Sequence, residues 1–206
     1  MKVLLINGSP HEKGCTYTAL SLVAEELNAR GVETEILSVG TKPVGGSIGC
    51  GGCAKGSGCV FGGVVNEAIE KAKTADGFVF GTPVHYASAS GNMTSFMDRL
   101  SYAGGKYLAY KPAAICCSAR RAGTTATLDQ LAKYPEFFHM PLVSGSYWPM
   151  VHGSAPEQVL QDQEGCAVMR ELGRNMAWLL QCIEAGKAAG IPHPENPARP
   201  RTNFIR

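Results

Sequence analysis

The fold is decided by residues 3–17, whose sequence is VLLINGSPHEKGCTY. An apolar run that predicts a buried strand enters a turn of Asn, Gly, Ser and Pro, and a helix is predicted to begin after Gly14. This arrangement is suited to hold a phosphate, because the first N–H groups of a helix have no partner within it and the helix dipole favours an anion there. Hydroxyl groups or positive charge for the phosphate could come from Ser9, His11, Lys13, Thr16 and Tyr17.

The spacing of this turn excludes two common phosphate loops. A Walker A loop has four residues between its glycines and a lysine after the second glycine. Here five residues separate Gly8 from Gly14, and Cys15 follows. The dinucleotide fingerprint G-x-G-x-x-G is also missing. What remains is the pattern of a monophosphate loop, as in flavin mononucleotide (FMN) proteins. The alternative is an ordinary turn in which Gly and Ser only allow the chain to change direction.

The length and charge of the chain limit its class. With 206 residues, of which 45% are hydrophobic, it can form one sizeable α/β domain. The formal net charge of +2 argues against a nucleic-acid-binding surface. No apolar run approaches the roughly 18 residues that span a bilayer, and the N-terminal apolar run is too short for a signal peptide. We therefore expect no nucleic acid and no membrane as a partner.

The cysteines indicate a reducing compartment. The chain has eight of them, and Cys116 and Cys117 are adjacent within an apolar run, where successive side chains point to opposite faces of a sheet. A secreted disulfide framework is typical of a shorter and more loop-rich chain. Reduced thiols in a cytoplasmic protein are therefore expected.

Predicted strands and helices alternate along the chain. Strands are predicted at residues 3–6, 32–39, 78–80 and 113–117, with a fifth that begins at Leu142 and Val143. Amphipathic helices are predicted between the strands, and a last helix spans roughly residues 162–184. Residues 40–63 contain ten glycines and three cysteines, so a long functional or flexible loop is expected there.

The predicted domain covers residues 1–186, and a proline-rich tail covers residues 187–206. The tail contains Pro192, Pro194, Pro197 and Pro200, which are incompatible with a helix. We expect it to lie extended over the surface or over a neighbouring subunit.

Alternating apolar strands and helices predict a parallel sheet that is covered on both faces, with right-handed crossovers. The ligands of such sheets bind beyond the carboxyl ends of the strands. Loops follow the first, third and fourth strands at residues 9–17, 82–91 and 118–124. All three are expected at one edge of the molecule, which favours the phosphate-loop interpretation.

Several motifs, in order over about residues 1–150, resemble one known family. They are Asn7-Gly8-Ser9-Pro10, Lys13-Gly14-Cys15-Thr16, Cys50-Gly51-Gly52-Cys53 with Cys59, Ala75-Asp76-Gly77-Phe78, Gly81-Thr82-Pro83-Val84-His85-Tyr86, Gly91 through Asp98-Arg99, and Arg120-Arg121-Ala122-Gly123. Together they resemble the flavodoxin-like NAD(P)H-dependent FMN reductases. The resemblance implies an α/β fold with a five-stranded parallel sheet in the order 2-1-3-4-5, helices on both faces, and FMN as the cofactor.

The resemblance also implies a role for each loop. In the family the first loop holds the FMN phosphate, the segment that matches Pro83–Tyr86 lies along the isoalloxazine ring, and the loop after the fourth strand contacts its pyrimidine edge. Tyr86 can cover an aromatic plane, and Gly123 allows a close approach to the ring. Arg120 or Arg121 would stabilise the anionic reduced flavin, unless the two form only a solvated surface.

The candidate cofactor-binding residues are Ser9, His11, Cys15, Thr16, Tyr17, Pro83, Val84, His85, Tyr86, Ser118, Arg120, Arg121, Gly123 and His139. His85 is expected to act through its backbone. His139 is included because a histidine in a similar place touches the flavin in related tetrameric quinone reductases; packing or surface exposure is the alternative. No protein side chain is predicted to be catalytic, because the flavin is the catalytic group.

The loop cysteines resemble an incomplete cluster motif. Cys50-x-x-Cys53 followed by Cys59 is similar to the motif of the iron–sulfur flavoproteins, a sister group. Gly56 occupies the place where a further cysteine would be expected. A [4Fe–4S] cluster is held by four thiolates, and a structural zinc by four ligands. We expect a degenerate remnant and no metal, the alternative being a fourth ligand from elsewhere.

The expected function is an NAD(P)H-dependent FMN oxidoreductase. Reduced nicotinamide, either NADH or NADPH, would pass a hydride through bound FMN to a small-molecule acceptor: a quinone, a nitro or azo compound, or free flavin. The alternatives are a flavodoxin-type electron carrier, an iron–sulfur flavoprotein, and a redox sensor switched at Cys50 and Cys53. Carriers of that type have strongly acidic surfaces, and the pI near 8.1 argues against one. A homodimer or homotetramer is expected to cover the ring and the loops around it.

Overall fold

A parallel β-sheet forms the centre of the chain, of which the computed structural model describes residues 1–56, 58–195 and 202–204. Its strands are β1 (Lys2–Asn7), β2 (Glu33–Ser38), β3 (Gly77–His85), β4 (Ser88–Ala89), β5 (Ala113–Ala119) and β6 (Met150–His152). Their hydrogen-bonded order is β2-β1-β3-β5-β6, and β4 pairs antiparallel with β3. Among the parallel strands this is the predicted order, so the flavodoxin-like fold class is confirmed. The two-residue β4 was not predicted.

Helices cover both faces of the sheet. They are α1 (Cys15–Asn28), α2 (Val64–Thr74), α3 (Gly91–Gly104), α4 (Thr124–Phe137), α5 (Pro156–Val159) and α6 (Gln163–Ala188). One core contains Leu4, Phe78 and Cys117 with α2, α3 and α4. The other contains Leu5 and Cys116 with α1 and α6. Alternate strand residues thus fill opposite cores, as the period of two along a strand requires.

The predicted fifth strand is interrupted. Leu142 makes only a single bridge to Ala113, and Val143 donates its N–H to the Ala113 carbonyl at 2.8 Å. The paired strand comes later, as β6, beside the end of β5. Between Val143 and β6 the chain is bonded to α6 and not to a strand. Glu171 on α6 accepts both the backbone N–H and the hydroxyl of Ser146.

The glycine-rich loop at residues 40–63 contains one short 3-10 turn, Gly52–Lys55, and no other regular structure among its described residues. Asn92 on α3 anchors its beginning. The side-chain nitrogen donates to the carbonyls of Gly40 and Lys42 at 2.9 and 3.1 Å, and the side-chain oxygen accepts the N–H of Val44 at 3.1 Å. The long loop that the sequence predicts is therefore held against α3.

The C-terminal segment follows a helix that is longer than predicted. α6 continues to Ala188, four residues beyond the predicted end at residue 184. Residues 191–195 form no helix or strand, and Pro197 and Pro200 of the predicted tail lie outside the described residues. Among the described helices, none combines the length and the apolar character that crossing a bilayer would require.

Candidate functional site

The loops that follow β1, β3 and β5 meet at the carboxyl edge of the sheet. Gly8 donates its N–H to the carbonyl of Gly81 at 2.8 Å, and the hydroxyl of Ser90 donates to the carbonyl of Gly8 at 2.8 Å. The hydroxyl oxygen of Thr16 lies 2.8 Å from that of Ser118. Hydrogen bonds therefore join the first loop directly to each of the other two.

Asn7, buried at the end of β1, shapes the first loop. Its side-chain oxygen accepts the N–H of Ser9 at 3.1 Å, and its side-chain nitrogen donates to the carbonyl of Glu12 at 3.1 Å. The hydroxyl oxygen of Ser9 accepts the N–H of His11 at 3.1 Å. These bonds bury Ser9, leave His11 exposed and turn the chain into α1.

The N-terminus of α1 offers backbone donors. Gly14 occupies the N-cap position and has no side chain to cap the helix. Thr18 donates its N–H to the Gly14 carbonyl at 3.0 Å, whereas no acceptor within the described part of the chain binds the N–H groups of Thr16 or Tyr17. Free N–H groups at a helix N-terminus, together with the helix dipole, form a binding site for an anion.

Two buried hydroxyls lie beside these donors. Thr16 and Ser118 are 1% and 4% exposed, and their hydroxyls bond each other. One hydroxyl donates to the other, so the hydrogen of the second is left to donate elsewhere. A buried hydroxyl hydrogen without an acceptor is costly, and an anion at the α1 N-terminus would provide one.

The turn between β3 and β4 presents the second group of predicted residues. Pro83 and Val84 are half-buried, whereas His85 and Tyr86 are exposed. Tyr86 has a φ of 52° and Ala87 a φ of 57°, which is the left-handed region that residues with a side chain seldom adopt. Each costs on the order of 1 kcal/mol, and such strain concentrates at ligand sites.

Gln130 on α4 holds this strained turn in place. Its side-chain oxygen accepts the hydroxyl of Ser88 at 2.8 Å and the N–H of Ala89 at 2.9 Å. Gly123, at the start of α4, has a φ of 96°, and a Cβ there would lie 2.7 Å from the Cα of Ala87. The close approach that Gly123 permits in this structure is thus to the β3–β4 turn.

Positive charge lies on the loop after β5. Arg120 and Arg121 are both exposed, and no carboxylate pairs with either one in the described part of the chain. His152, at the end of β6, places its Nε2 3.1 Å from the carbonyl of Arg121 and its Nδ1 3.6 Å from Asp162. The backbone N–H of His152 also donates to the Asp162 carboxylate at 2.8 Å. His152 was not among the predicted site residues, although it ends a strand at this edge.

The thiol of Cys15, at the first residue of α1, contacts the chain that follows β6. Its Sγ donates to the carbonyl of Gly153 at 3.5 Å. Burial raises the pKa of the Cys15 thiol, which keeps it protonated as a donor. In this structure the thiol joins the first loop to the chain that follows β6.

The fold and the three loops agree with a comparison against known families. The family model for NADPH-dependent FMN reductases matches residues 1–155. The chain belongs to this family. Its members are oxidoreductases, and the match covers β1 through β6 and all three loops at the carboxyl edge of the sheet.

Two relatives of this chain are named as iron–sulfur flavoproteins. An iron–sulfur flavoprotein of Methanocaldococcus jannaschii is 32% identical over 196 residues, which cover 89% of this chain and 100% of the relative. An iron–sulfur flavoprotein of Archaeoglobus fulgidus is 30% identical, over 80% and 83% of the two chains. Among solved structures, RosB superposes with a TM-score of 0.70 at 14% identity, over 100% of this chain and 92% of RosB. That last similarity concerns the fold alone.

The residues at the sheet edge fit an FMN phosphate. A phosphate needs several donors at one place, and the α1 N-terminus, the Thr16–Ser118 pair and the buried Ser9 supply both N–H and O–H groups. The two arginines after β5 provide charge of the complementary sign at the same edge.

His139 is the predicted site residue that the structure does not bring to this edge. Its carbonyl accepts the N–H of Tyr110 at 3.2 Å, and the two rings stack at 5.6 Å, just before β5 begins. The seven residues of β5 separate it from Ser118 by roughly 20 Å. The prediction was wrong because a residue that precedes a parallel strand lies at the amino edge of the sheet.

The loop cysteines do not fit an iron–sulfur cluster. Cys50, Cys53 and Cys59 line one cavity, but the fourth thiolate is replaced by Gly56. Among the described residues, no three His, Cys, Asp or Glu side chains are arranged to hold a metal ion. The cavity also contains Arg99, whose Nε donates to Cys59 Sγ at 3.2 Å.

Proposed function

We propose that this chain binds one FMN at the carboxyl edge of its sheet and passes a hydride from NADPH or NADH to a small-molecule acceptor. The observation that carries the proposal is the contact between Thr16 and Ser118. It brings the loop after β1 and the loop after β5 together around the free N–H groups of α1. Membership of the FMN reductase family supports the choice of cofactor.

The phosphate would be held by the first loop. Backbone N–H groups at the start of α1, the hydroxyl of Ser9 and the hydroxyl pair of Thr16 and Ser118 would donate to it. Hydrogen bonds to a charged acceptor are worth roughly 1.5–3 kcal/mol each, so this loop supplies most of the affinity in the proposal. His11 and Lys13 are exposed beside it and add positive charge.

The isoalloxazine ring would lie between the other two loops. Bound FMN supplies two-electron hydride chemistry, and the chain supplies orientation and charge. Tyr86 is fully exposed on a strained turn, where its ring is available to cover a flat ligand. Arg120 and Arg121 have no carboxylate partner among the described residues, so their charge remains available to stabilise an anionic reduced flavin.

His152 would fix the position of this cationic loop. Both of its ring nitrogens face acceptors, the Arg121 carbonyl at 3.1 Å and Asp162 at 3.6 Å. No acid or base is assigned to the hydride transfer itself, because that step needs orientation and not a proton from the chain.

A reduction assay tests the proposal. The chain is loaded with FMN and mixed anaerobically with NADPH or NADH while the flavin absorbance is followed. We expect bleaching with at least one donor, and recovery when a quinone, a nitro or azo compound, or free flavin is added. A chain whose bound FMN is reduced by neither donor would contradict the reductase proposal, and would favour the electron carrier.

The second candidate is an iron–sulfur flavoprotein, favoured by the names of the two relatives above. It requires a fourth ligand that the described residues do not supply. Anaerobic reconstitution with iron and sulfide separates the two candidates. We expect no stable iron–sulfur absorbance and an unchanged flavin spectrum.

We also propose a homodimer or homotetramer in the cytoplasm. Tyr147 and Trp148 are 51% and 56% exposed and contact each other edge to face at 4.7 Å beside an open cavity of about 530 Å³. Pairing two such surfaces would remove their apolar area from water. All eight cysteines are free, which supports a reducing compartment.

A further inference from the structure

A cavity of about 280 Å³ lies away from the sheet edge, between the glycine-rich loop and α3. Its lining includes the thiols of Cys50, Cys53 and Cys59 and the side chain of Arg99. Arg99 is eight residues beyond Gly91, the first residue of α3, which is about 12 Å along a helix. None of the residues that line the cavity belongs to the three loops of the proposed FMN site.

Arg99 is a buried cation, and its hydrogen-bond partners in the described part of the chain are two carbonyls and one cysteine sulfur. It is 6% exposed. Its nitrogens donate to the carbonyls of Gly45 and Gly62 at 3.2 and 3.1 Å and to Cys59 Sγ at 3.2 Å, and its guanidinium lies over the ring of Phe61. No carboxylate pairs with it in the described part of the chain. A guanidinium stays protonated in proteins, and Cys59 Sγ is the side-chain atom that accepts from it in the described part of the chain.

Cys59 is held in place from the opposite side by α2. Asn66 accepts the N–H of Cys59 at 2.8 Å and donates to its carbonyl at 3.0 Å. Gly58 has a φ of 82°, and a Cβ there would lie 2.9 Å from the Asn66 side-chain oxygen. A backbone fixed on both polar groups and a sulfur fixed by a cation make a built site.

We propose that this cavity is a thiol–disulfide exchange site, with Cys59 as the attacking sulfur and Arg99 as the group that stabilises negative charge on it. Cys59 is half-buried but faces a cavity open to solvent, so an organic disulfide can reach it. Cys50 and Cys53 line the same cavity and one of them acts as the resolving thiol. The inference stands whether or not the chain binds FMN.

The exchange balances without a further reagent. The Cys59 thiolate attacks one sulfur of a disulfide RS–SR, a mixed disulfide forms, and the first RS⁻ leaves and takes up a proton. The resolving cysteine then gives up its proton and attacks the Cys59 sulfur, and the second RS⁻ leaves. Two cysteine thiols are oxidised to one disulfide while RS–SR is reduced to two thiols.

Alkylation rates test the role of Arg99. The native chain is treated with limiting iodoacetamide at pH 7, and each cysteine is quantified by peptide mass spectrometry. Cys59 should react at least about tenfold faster than Cys182, although Cys182 is the more exposed. Arg99→Gln should remove this advantage, whereas Arg170→Gln, at an exposed arginine, should retain it. The comparison within the unaltered chain needs no variant, and equal rates for Cys59 and Cys182 would overturn the proposal.

The uncharged probe 2-hydroxyethyl disulfide tests the exchange itself. The unaltered chain should release two thiols per disulfide formed and gain an internal disulfide that contains Cys59. Cys50→Ser and Cys53→Ser are tested separately. The variant that removes the resolving cysteine should stop the reaction at a mixed disulfide on Cys59 after one thiol is released. A mixed disulfide that persists in the unaltered chain would overturn the proposal, as would an iron–sulfur absorbance after reconstitution that Cys59→Ser abolishes.

Discussion

The hydroxyl oxygens of Thr16 and Ser118 lie 2.8 Å apart across 102 residues of chain. Thr16 is in the first turn of α1 and Ser118 is near the end of β5, so their contact joins two loops that carry different parts of the proposed FMN site. Both residues are buried, although neither is apolar. The same two hydroxyls that hold the loops together are those proposed to donate to the FMN phosphate.

Removal of the Thr16 hydroxyl should weaken FMN binding. A hydrogen bond to a charged phosphate is worth roughly 1.5–3 kcal/mol, so Thr16→Ala should raise the FMN dissociation constant about tenfold or more. The matched control is Thr18→Ala, one half-turn later on α1, because the Thr18 hydroxyl donates to the Gly14 carbonyl. Fluorescence titration measures both variants. An unchanged affinity for Thr16→Ala would remove this residue from the phosphate site.

The charge of the loop after β5 should set the potential of bound FMN. Replacing Arg120 and Arg121 together by Gln should lower the midpoint potential by on the order of 30 mV, the equivalent of about 1.4 kcal/mol for two electrons. Reduction by NADPH or NADH should also slow. Arg170→Gln, on α6 and paired with Glu25, is the control and should leave the potential unchanged. If the double variant behaves like this control, the two arginines are only a solvated surface.

Glu35 on β2 should make stability depend on pH. Hydrogen bonds from Lys71 and then Lys2 lower the pKa of its carboxyl group. A group with a lowered folded pKa stabilises the fold above its unfolded pKa, about 4.3, and loses that effect as the pH falls through the folded value. Glu35→Gln should cost up to about 1 kcal/mol of unfolding free energy at pH 7 and progressively less below pH of about 4.

The control for this variant is Glu70→Gln. Glu70 pairs with Lys73 on the surface of α2 and is 69% exposed, so its removal should change stability little at pH 7 or below pH of about 4. Urea unfolding at these two pH values measures the free energy of unfolding of each variant relative to the unaltered chain. A loss for Glu35→Gln that is the same at low and neutral pH would show that packing, and not charge, explains it.

The two central cysteines of β5 should be inert. Burial raises the pKa of Cys116 to about 12, and burial also raises that of Cys117. In the folded chain neither should react with a thiol reagent at pH 8, whereas both should react after denaturation. Reaction of either residue at the rate of the exposed Cys182 would contradict its placement in the core.

Tyr147 and Trp148 should be needed for self-association. Changing both to Ser should shift the sedimentation of the chain at micromolar concentration toward that of one 21.8 kDa subunit. Trp178→Ser is the control, because Trp178 is 66% exposed on α6 but outside the cavity beside Trp148. An unaltered chain that sediments as a single 21.8 kDa species with full turnover would exclude a shared site.

Local patterns predicted most of the fold. Alternate apolar residues in β1, such as Leu4 and Leu5, enter opposite cores, and Gly14 marks the start of α1. These signals lie within a few residues of the element that they specify. The order of the parallel strands came from the resemblance to a family, because pairing between distant strands has no local signal.

Long-range hydrogen bonds explain what the sequence did not predict. Residues near Leu142 look like a strand, but Ser146 is bonded to Glu171 on α6, so the paired strand is delayed to β6. Because β6 is the strand that pairs with the end of β5, His152 at the end of β6 lies at the carboxyl edge of the sheet, beside the proposed site. His139 was assigned by resemblance, and the position of a residue before a strand would have placed it at the opposite edge.

A comparison of FMN with riboflavin, which lacks the phosphate, tests the central claim most directly. Both are titrated into the flavin-free chain under the same conditions. The account predicts one FMN per chain and binding of riboflavin at least about tenfold weaker, because the donors of the first loop would have no phosphate to contact. Equal affinity for the two flavins, or no binding of FMN, would contradict it.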